Sequence, residues 1–255
     1  MNIHQSAAKG FASGSENYAS GRPDYPLAVV DWLRDGVGMR PGDVVLDVGA
    51  GTGKFLPILR NCGVKMLVLE PVVAMRDALV KNHPDAIVVD GAADAIALAD
   101  NSVDVITCAQ SFHWFASAAT LAEFRRVLVP GGVLALVWNV RDESVAWVAA
   151  LGVITDELQG DTPRYYSGQW RAAFPADGFE FVGEHSVHND QSGNSEDIIV
   201  KRTLSVSYIA ALPEWLREAI ATRVRALIAN TPELASQSQV TFPYTTNMYA
   251  YRKMN

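Results

Sequence analysis

From residue 44 to residue 138 the chain alternates short apolar runs with amphipathic stretches. Residues 44–48, 65–70, 86–90, 103–109 and 133–138 are rich in β-branched and aliphatic side chains and predict five strands. Between them, residues 54–61, 74–81 and 118–128 predict helices. In the last of these, Leu121, Phe124, Val127 and Leu128 share one side. A short helix over residues 26–33 precedes the first strand, with Leu27, Val30 and Leu33 or Trp32 facing the core. This alternation predicts an α/β fold with a parallel sheet covered on both faces.

After Trp138 the pattern becomes less regular. Residues 145–158 predict a helix, residues 160–178 loops, residues 179–187 a strand, and residues 188–196 a polar, glycine-bearing connection. Residues 207–212 look helical. Leu216, Ile220, Val224, Leu227 and Ile228 form an apolar stripe on a helix over residues 214–230, and residues 240–252 predict a last strand.

The first strand breaks into Gly49-Ala50-Gly51-Thr52-Gly53-Lys54, which opens into a helix. Glycines there permit positive φ and leave room for a ligand against the backbone, while the helix start presents free N–H groups. A phosphate-binding P-loop fails at both ends, since Val48 and Phe55 replace the required glycine and hydroxyl residue. A dinucleotide fingerprint fails at its third glycine, where Lys54 stands. Glu70 closes the second strand about 20 residues past the glycine turn, where a carboxylate meets ribose hydroxyls. That spacing suits a nucleoside ligand, whether NAD or S-adenosylmethionine.

Composition narrows the partners. The chain has 255 residues, 49% of them hydrophobic, enough for one full-sized core or one domain with an attached cap. Acidic residues number 28 against 21 basic ones, a formal net charge of −7 without a basic block, which disfavours nucleic acid. Cys62 and Cys108 lie far apart without metal-like spacing, and no metal site is expected. No apolar stretch reaches membrane-spanning length, and the first residues lack the shape of a secretion signal, so a cytoplasmic protein is expected.

Asp47-Val48-Gly49-Ala50-Gly51-Thr52-Gly53 resembles, at every position, the Asp-x-Gly-x-Gly-x-Gly turn of class I S-adenosylmethionine methyltransferases. Arg126-Val127-Leu128-Val129-Pro130-Gly131-Gly132 resembles the helix–turn–strand that follows their acceptor loop. Gln110-Ser111-Phe112-His113-Trp114-Phe115 resembles the loop of a broad small-molecule group that includes trans-aconitate-type carboxyl methyltransferases. The resemblance implies a Rossmann-like, doubly wound, mostly parallel seven-stranded sheet with an antiparallel last strand. It implies one domain over residues 1–255: a cap or lid over 1–26, a cofactor core over 27–140, and a C-terminal half over 141–255. In that half a helical insertion before the last strand covers the acceptor side.

It also implies a site for S-adenosylmethionine. Asp47, Gly49, Ala50, Gly51, Thr52 and Glu70 would hold the cofactor, Ala93 and Asp94 its adenine, and Gln110 its methionine side. Tyr18 and Arg22, from Tyr18-Ala19-Ser20-Gly21-Arg22-Pro23, would approach its charged tail, where an arginine fork suits a carboxylate.

Methyl transfer from a sulfonium is an in-line displacement, so the protein mainly positions and desolvates the acceptor. His113 is the candidate catalytic residue if the acceptor must lose a proton; otherwise it binds or packs. Phe112, Trp114 and Phe115 are candidate pocket walls. Alternatively, Trp114 and Phe115 begin the next helix. No proline run follows the fourth strand, and Cys108 follows Thr107 rather than a proline, which disfavours nucleic-acid base methylation. A small-molecule acceptor methylated on oxygen or on a carboxylate is expected. A non-catalytic cofactor-binding protein and a nicotinamide-dependent reductase are the alternatives. The reductase lacks a Tyr-x-x-x-Lys pair.

Overall fold

The computed structural model describes residues 21–254. The proposed lid therefore falls mostly outside the described residues, Tyr18 with it. A seven-stranded sheet has the order β3-β2-β1-β6-β7-β9-β8. Its strands are β1 (Val44–Val48), β2 (Lys65–Leu69), β3 (Ile87–Val88), β6 (Val103–Ala109), β7 (Leu128–Arg141), β8 (Phe179–Gly193) and β9 (Val240–Lys253). Two short strands, β4 (Gly91–Ala92) and β5 (Ala95–Ile96), form a separate hairpin. β1 pairs in parallel with β2 and β6, and β6 with β7. β9 runs antiparallel to both β7 and β8. The expected mostly parallel, Rossmann-like α/β sheet with an antiparallel last strand is what forms.

Strand alternation divides the core. Val45, Val105, Val133, Ala135, Val137, Met248 and Ala250 face one side, where they meet α1 (Ala28–Asp31) and α2 (Leu56–Cys62). Leu46, Ile106, Cys108, Leu134, Leu136, Trp138, Tyr249 and Tyr251 face the other, against α4 (Ala118–Val127), while α3 (Val73–Asn82) connects β2 to β3. Successive side chains point to opposite faces, so both layers come from the same few strands. Gly63, in the left-handed region at φ 75°, ends α2 where the Cys62-Gly63 pair predicted a stop.

Beyond β7, α5 (Ala146–Asp156) leads into loops, and β8 follows. Between β8 and β9 come a π-helical segment (Glu196–Lys201), α6 (Arg202–Leu204), α7 (Ser207–Ala210), α8 (Glu214–Asn230) and α9 (Pro232–Ala235). Ile198, Ile199, Val200, Ile209, Ile220 and Val224 pack with Trp147, Leu151, Phe242 and Tyr244 into a third apolar cluster. This is the helical insertion the resemblance implied.

Several expectations need correction. Leu27 is exposed, and Val29 takes the core position instead. β8 continues through residues 188–193, expected as a connection, because β9 supplies partners as far as Val240 opposite Gly193. The turn at Pro130-Gly131-Gly132 lies inside β7 as an irregularity between the Val103–Leu128 and Val105–Val133 pairs. Phe112 is buried in the core, edge-on to Trp170, and stands outside the wall of the cavity at the strand ends.

Candidate active site

The order of the sheet reverses direction around β1, which lies between β2 and β6. Ligands bind such sheets in the crevice beyond the strand ends at that switch point. A cavity of about 320 Å³ lies there. Its walls include Gly49, Ala50, Gly51 and Thr52 after β1, Glu70 after β2, Ala92 and Ala93 in the hairpin, and Gln110, Ser111, Trp114 and Phe115 after β6.

The turn is built to approach a ligand. An ideal Cβ on Gly51 would meet no heavy atom within 4 Å and would project into open space, while φ is +59°. A Cβ on Gly49 would come within 2.7 Å of the Ser111 Cβ, so this glycine lets the acceptor loop close on the turn. The Gly51 N–H donates to Oε2 of Glu70 and the Val72 N–H to Oε1, each at 2.8 Å. Each carboxylate oxygen keeps a second lone pair for a ribose hydroxyl. Burial raises the Glu70 pKa, against the lowering effect of the two amides. One oxygen of Asp94, Oδ1, is buried without a partner among the described residues, a vacant acceptor beside the Ala93 wall. Open room at Gly51 and lone pairs on Glu70 both fit an adenosine-bearing cofactor.

Three expected residues stand elsewhere than in the cavity wall. Asp47 is buried behind the turn, where Thr107 Oγ1 donates to its Oδ1 at 2.7 Å. Burial pushes the Asp47 pKa up to about 7, opposed by the Thr107 bond and reinforced by Glu70. Strand register puts Asp47 on the same sheet face as its partner Thr107 on β6, and the bond between them keeps its side chain there rather than in the crevice. Asp94 sits at the hairpin tip, outside the wall formed by Ala92 and Ala93. His113 also stands outside the wall, between Trp114 and Trp138.

Trp138 Nε1 donates to His113 Nδ1 at 3.2 Å. An indole nitrogen only donates, so Nδ1 accepts and the neutral ring carries its proton on Nε2. Burial, with Arg164 and Arg22 nearby, pushes the His113 pKa down to about 3. Gln110 stands at positive φ, 59°, and its Nε2 donates to the Asn139 carbonyl at 2.8 Å, which fixes its side chain. Trp114 and Phe115 lie in a short 3₁₀ turn and its exit rather than in α4, which starts after the Ser117 cap.

Residues 22–25 are strapped over the site. Asn189 Nδ2 donates to the Asp24 carbonyl at 2.9 Å, Lys54 pairs with Asp24 at 2.8 Å, and Tyr25 sets its ring edge-on to Phe55. Arg22 lines the cavity, and its Nη2 donates to the Ser205 carbonyl at 3.3 Å. Asn139, Arg202 and Tyr244 also line the cavity. Sequence reasoning missed all three. Asn139 alone carried a signal, since it follows the fifth predicted strand at its carboxyl end.

Among the described residues, no group of three or more His, Cys, Asp or Glu could hold a metal ion. Among the described residues no helix is long and apolar enough to cross a membrane.

A methyltransferase domain family matches residues 46–136. An uncharacterized methyltransferase-like protein of Schizosaccharomyces pombe is 32% identical over 246 residues, covering 96% of each chain. An uncharacterized methyltransferase of Mycobacterium tuberculosis is 37% identical over 236 residues, covering 92% of each. Among solved structures, the geranyl diphosphate C-methyltransferase of Streptomyces coelicolor, crystallised with S-adenosyl-L-homocysteine, shares the fold. Its TM-score is 0.50 at 12% identity, over 89% of this chain and 76% of that one. The cyclase SpnF shares the fold with a TM-score of 0.54 at 17% identity, over 96% and 93%. These relationships displace the nicotinamide reading: the chain belongs to the class I S-adenosylmethionine-dependent methyltransferases.

Proposed function

We propose that the protein methylates an oxygen of a small-molecule acceptor, a carboxylate oxygen foremost. The composition of the cavity wall carries this reading. Among the described residues its only carboxylate is Glu70, held by two backbone amides, and no histidine lines it. An acceptor oxygen that is already anionic near neutral pH needs no base, whereas an alcohol or a protonated amine must lose a proton.

When bound, S-adenosylmethionine supplies an electrophilic methyl group on a sulfonium and takes up the electron pair of the breaking carbon–sulfur bond. Glu70 receives the ribose hydroxyls, Ala93 and Asp94 the adenine, and Gly49, Ala50, Gly51 and Thr52 the closely approaching backbone face. Arg22 takes the methionyl carboxylate, and Gln110 closes that end. Asp47, from behind, holds the turn through Thr107 and is a positioning residue. Trp114 and Phe115 exclude water and can face the sulfonium. His113 presents an Nε2–H as a donor rather than a vacant nitrogen as a base. Residues 1–255 act as one domain of cap, core and acceptor-side cover. Two buried free thiols and the acidic surface support a cytoplasmic protein that does not bind nucleic acid.

Incubation with methyl-labelled cofactor and fractionated metabolites tests this. The expected product is a labelled small molecule that releases volatile methanol under alkali. A base-stable label overturns carboxyl methylation. Binding of S-adenosylhomocysteine with no transfer to any fraction overturns turnover and leaves a cofactor-binding protein.

A further inference from the structure

Arg202 opens α6 in the helical cover and reaches the cavity wall. Its side chain is buried, with Nε and Nη1 both lacking a hydrogen-bond partner among the described residues. Its guanidinium lies 5.5 Å from the Phe242 ring and 5.9 Å from the Tyr244 ring. The Tyr244 hydroxyl, in the same wall, is also buried without a partner. A buried guanidinium with two unpaired nitrogens beside a buried, unpaired phenolic hydroxyl is costly unless a ligand meets them.

The surroundings specify the sign of that ligand. Arg22 and Arg141 add positive charge near Arg202, and Arg141 already pairs with Glu143 at 2.9 Å. Burial, with these neighbours, holds the Arg202 pKa down to about 10 although Tyr244 opposes the shift. A planar guanidinium fork beside a phenolic hydroxyl matches the two oxygens of a carboxylate.

We propose that Arg202 and Tyr244 form an anion seat for the methyl acceptor, so that the acceptor carries a carboxylate held against the Arg202 fork. This rests on the methyl-transfer reading but not on which oxygen is methylated. The cofactor positions lie at the ends of β1 and β2 and in the β4–β5 hairpin, whereas Arg202 comes from the insertion between β8 and β9. Under that reading the methionyl tail falls to Arg22, which leaves Arg202 for a second anion.

The test compares wild type with Arg202→Met, Arg202→Lys and Tyr244→Phe. Calorimetry first measures S-adenosylhomocysteine binding. Protein saturated with that nucleoside is then titrated with a set of mono-, di- and tricarboxylic acids and with their amides. Expected results are nucleoside affinity within about twofold of wild type in every variant, and at least one acid that binds while its amide does not. Arg202→Met then weakens that acid by at least about tenfold, with smaller losses in Tyr244→Phe and Arg202→Lys. Should the Met variant fail to fold, the Lys and Phe variants carry the same comparison.

The proposal is overturned if Arg202→Met weakens the nucleoside tenfold, which would assign the guanidinium to the cofactor tail. It is equally overturned if no acid binds or if acids and amides bind alike. Labelled transfer to a neutral acceptor, equal in wild type and Arg202→Met, overturns the anion seat and leaves methyl transfer standing. Failure of wild type to bind the nucleoside defeats the cofactor assignments instead.

Discussion

The indole N–H of Trp138 points at Nδ1 of His113 across 3.2 Å, and that contact fixes the tautomer of the ring. With Nδ1 occupied and the pKa down to about 3, His113 has no vacant nitrogen for an acceptor proton and stays neutral at physiological pH. His113→Asn should therefore lower kcat by less than about tenfold, where loss of a general base costs about 100-fold or more. The wild-type kcat profile should show no limb near pH 6.5. A limb there that disappears in the variant would make His113 the base.

The same residue couples stability to pH. Its folded pKa lies below the ordinary value of 6.5, so between about pH 3 and 6.5 the unfolded chain binds the extra proton. The His113 contribution is present above 6.5 and is lost as pH falls through that window. Thermal melts of wild type and His113→Asn between pH 4 and 8 should diverge in that direction, with wild type losing more on acidification.

Asp47 titrates in the opposite sense. Its folded pKa is raised to about 7, so its contribution is fully present below the unfolded value and is lost as pH rises through 7. Asp47→Asn keeps an oxygen for Thr107 and removes the buried charge. Its stabilising effect should be larger at pH 8 than at pH 5 by roughly 2 kcal/mol, measured by denaturant unfolding.

Glu70 joins the glycine turn to β2 through two amides. Glu70→Ala leaves both N–H groups without their acceptor and should weaken S-adenosylhomocysteine by roughly 30-fold. Glu70→Gln keeps one acceptor oxygen and should cost roughly fivefold. Calorimetry in which both variants match wild type would remove Glu70 from the ribose.

Gly51 and Gly38 make a matched pair. Both stand at positive φ, and an added Cβ at either meets nothing within 4 Å, but only Gly51 lines the cavity. Alanine at either should cost about 1–2 kcal/mol of stability. Only Gly51→Ala should also weaken the nucleoside, by roughly tenfold, because its methyl group occupies ligand space.

The parts legible from sequence are those governed by local pattern. The 17-residue helix Glu214–Asn230 has the bounds its apolar stripe indicated, since several turns of one period outvote any ambiguous end. The glycine turn was legible because three glycines after a β-branched strand admit few backbones. β8 was read short because an edge strand buries little, and His188 and Asp190 carry no apolar alternation although β9 pairs with both. Asp47 and Asp94 were placed by motif, which names a position but not the direction of a side chain. Arg202 was invisible because its significance comes from Arg22, Arg141 and Tyr244, all distant along the chain.

The interior position of β9 shapes how the molecule is made. Because this strand follows both neighbours in the chain, β7 and β8 wait with bare edges until it arrives between them. A nascent chain lacking β9 is a split sheet prone to pairing with other chains, and it also lacks Tyr244. The cavity wall is thus complete only once β9 has zippered between its neighbours and brought Tyr244 with it.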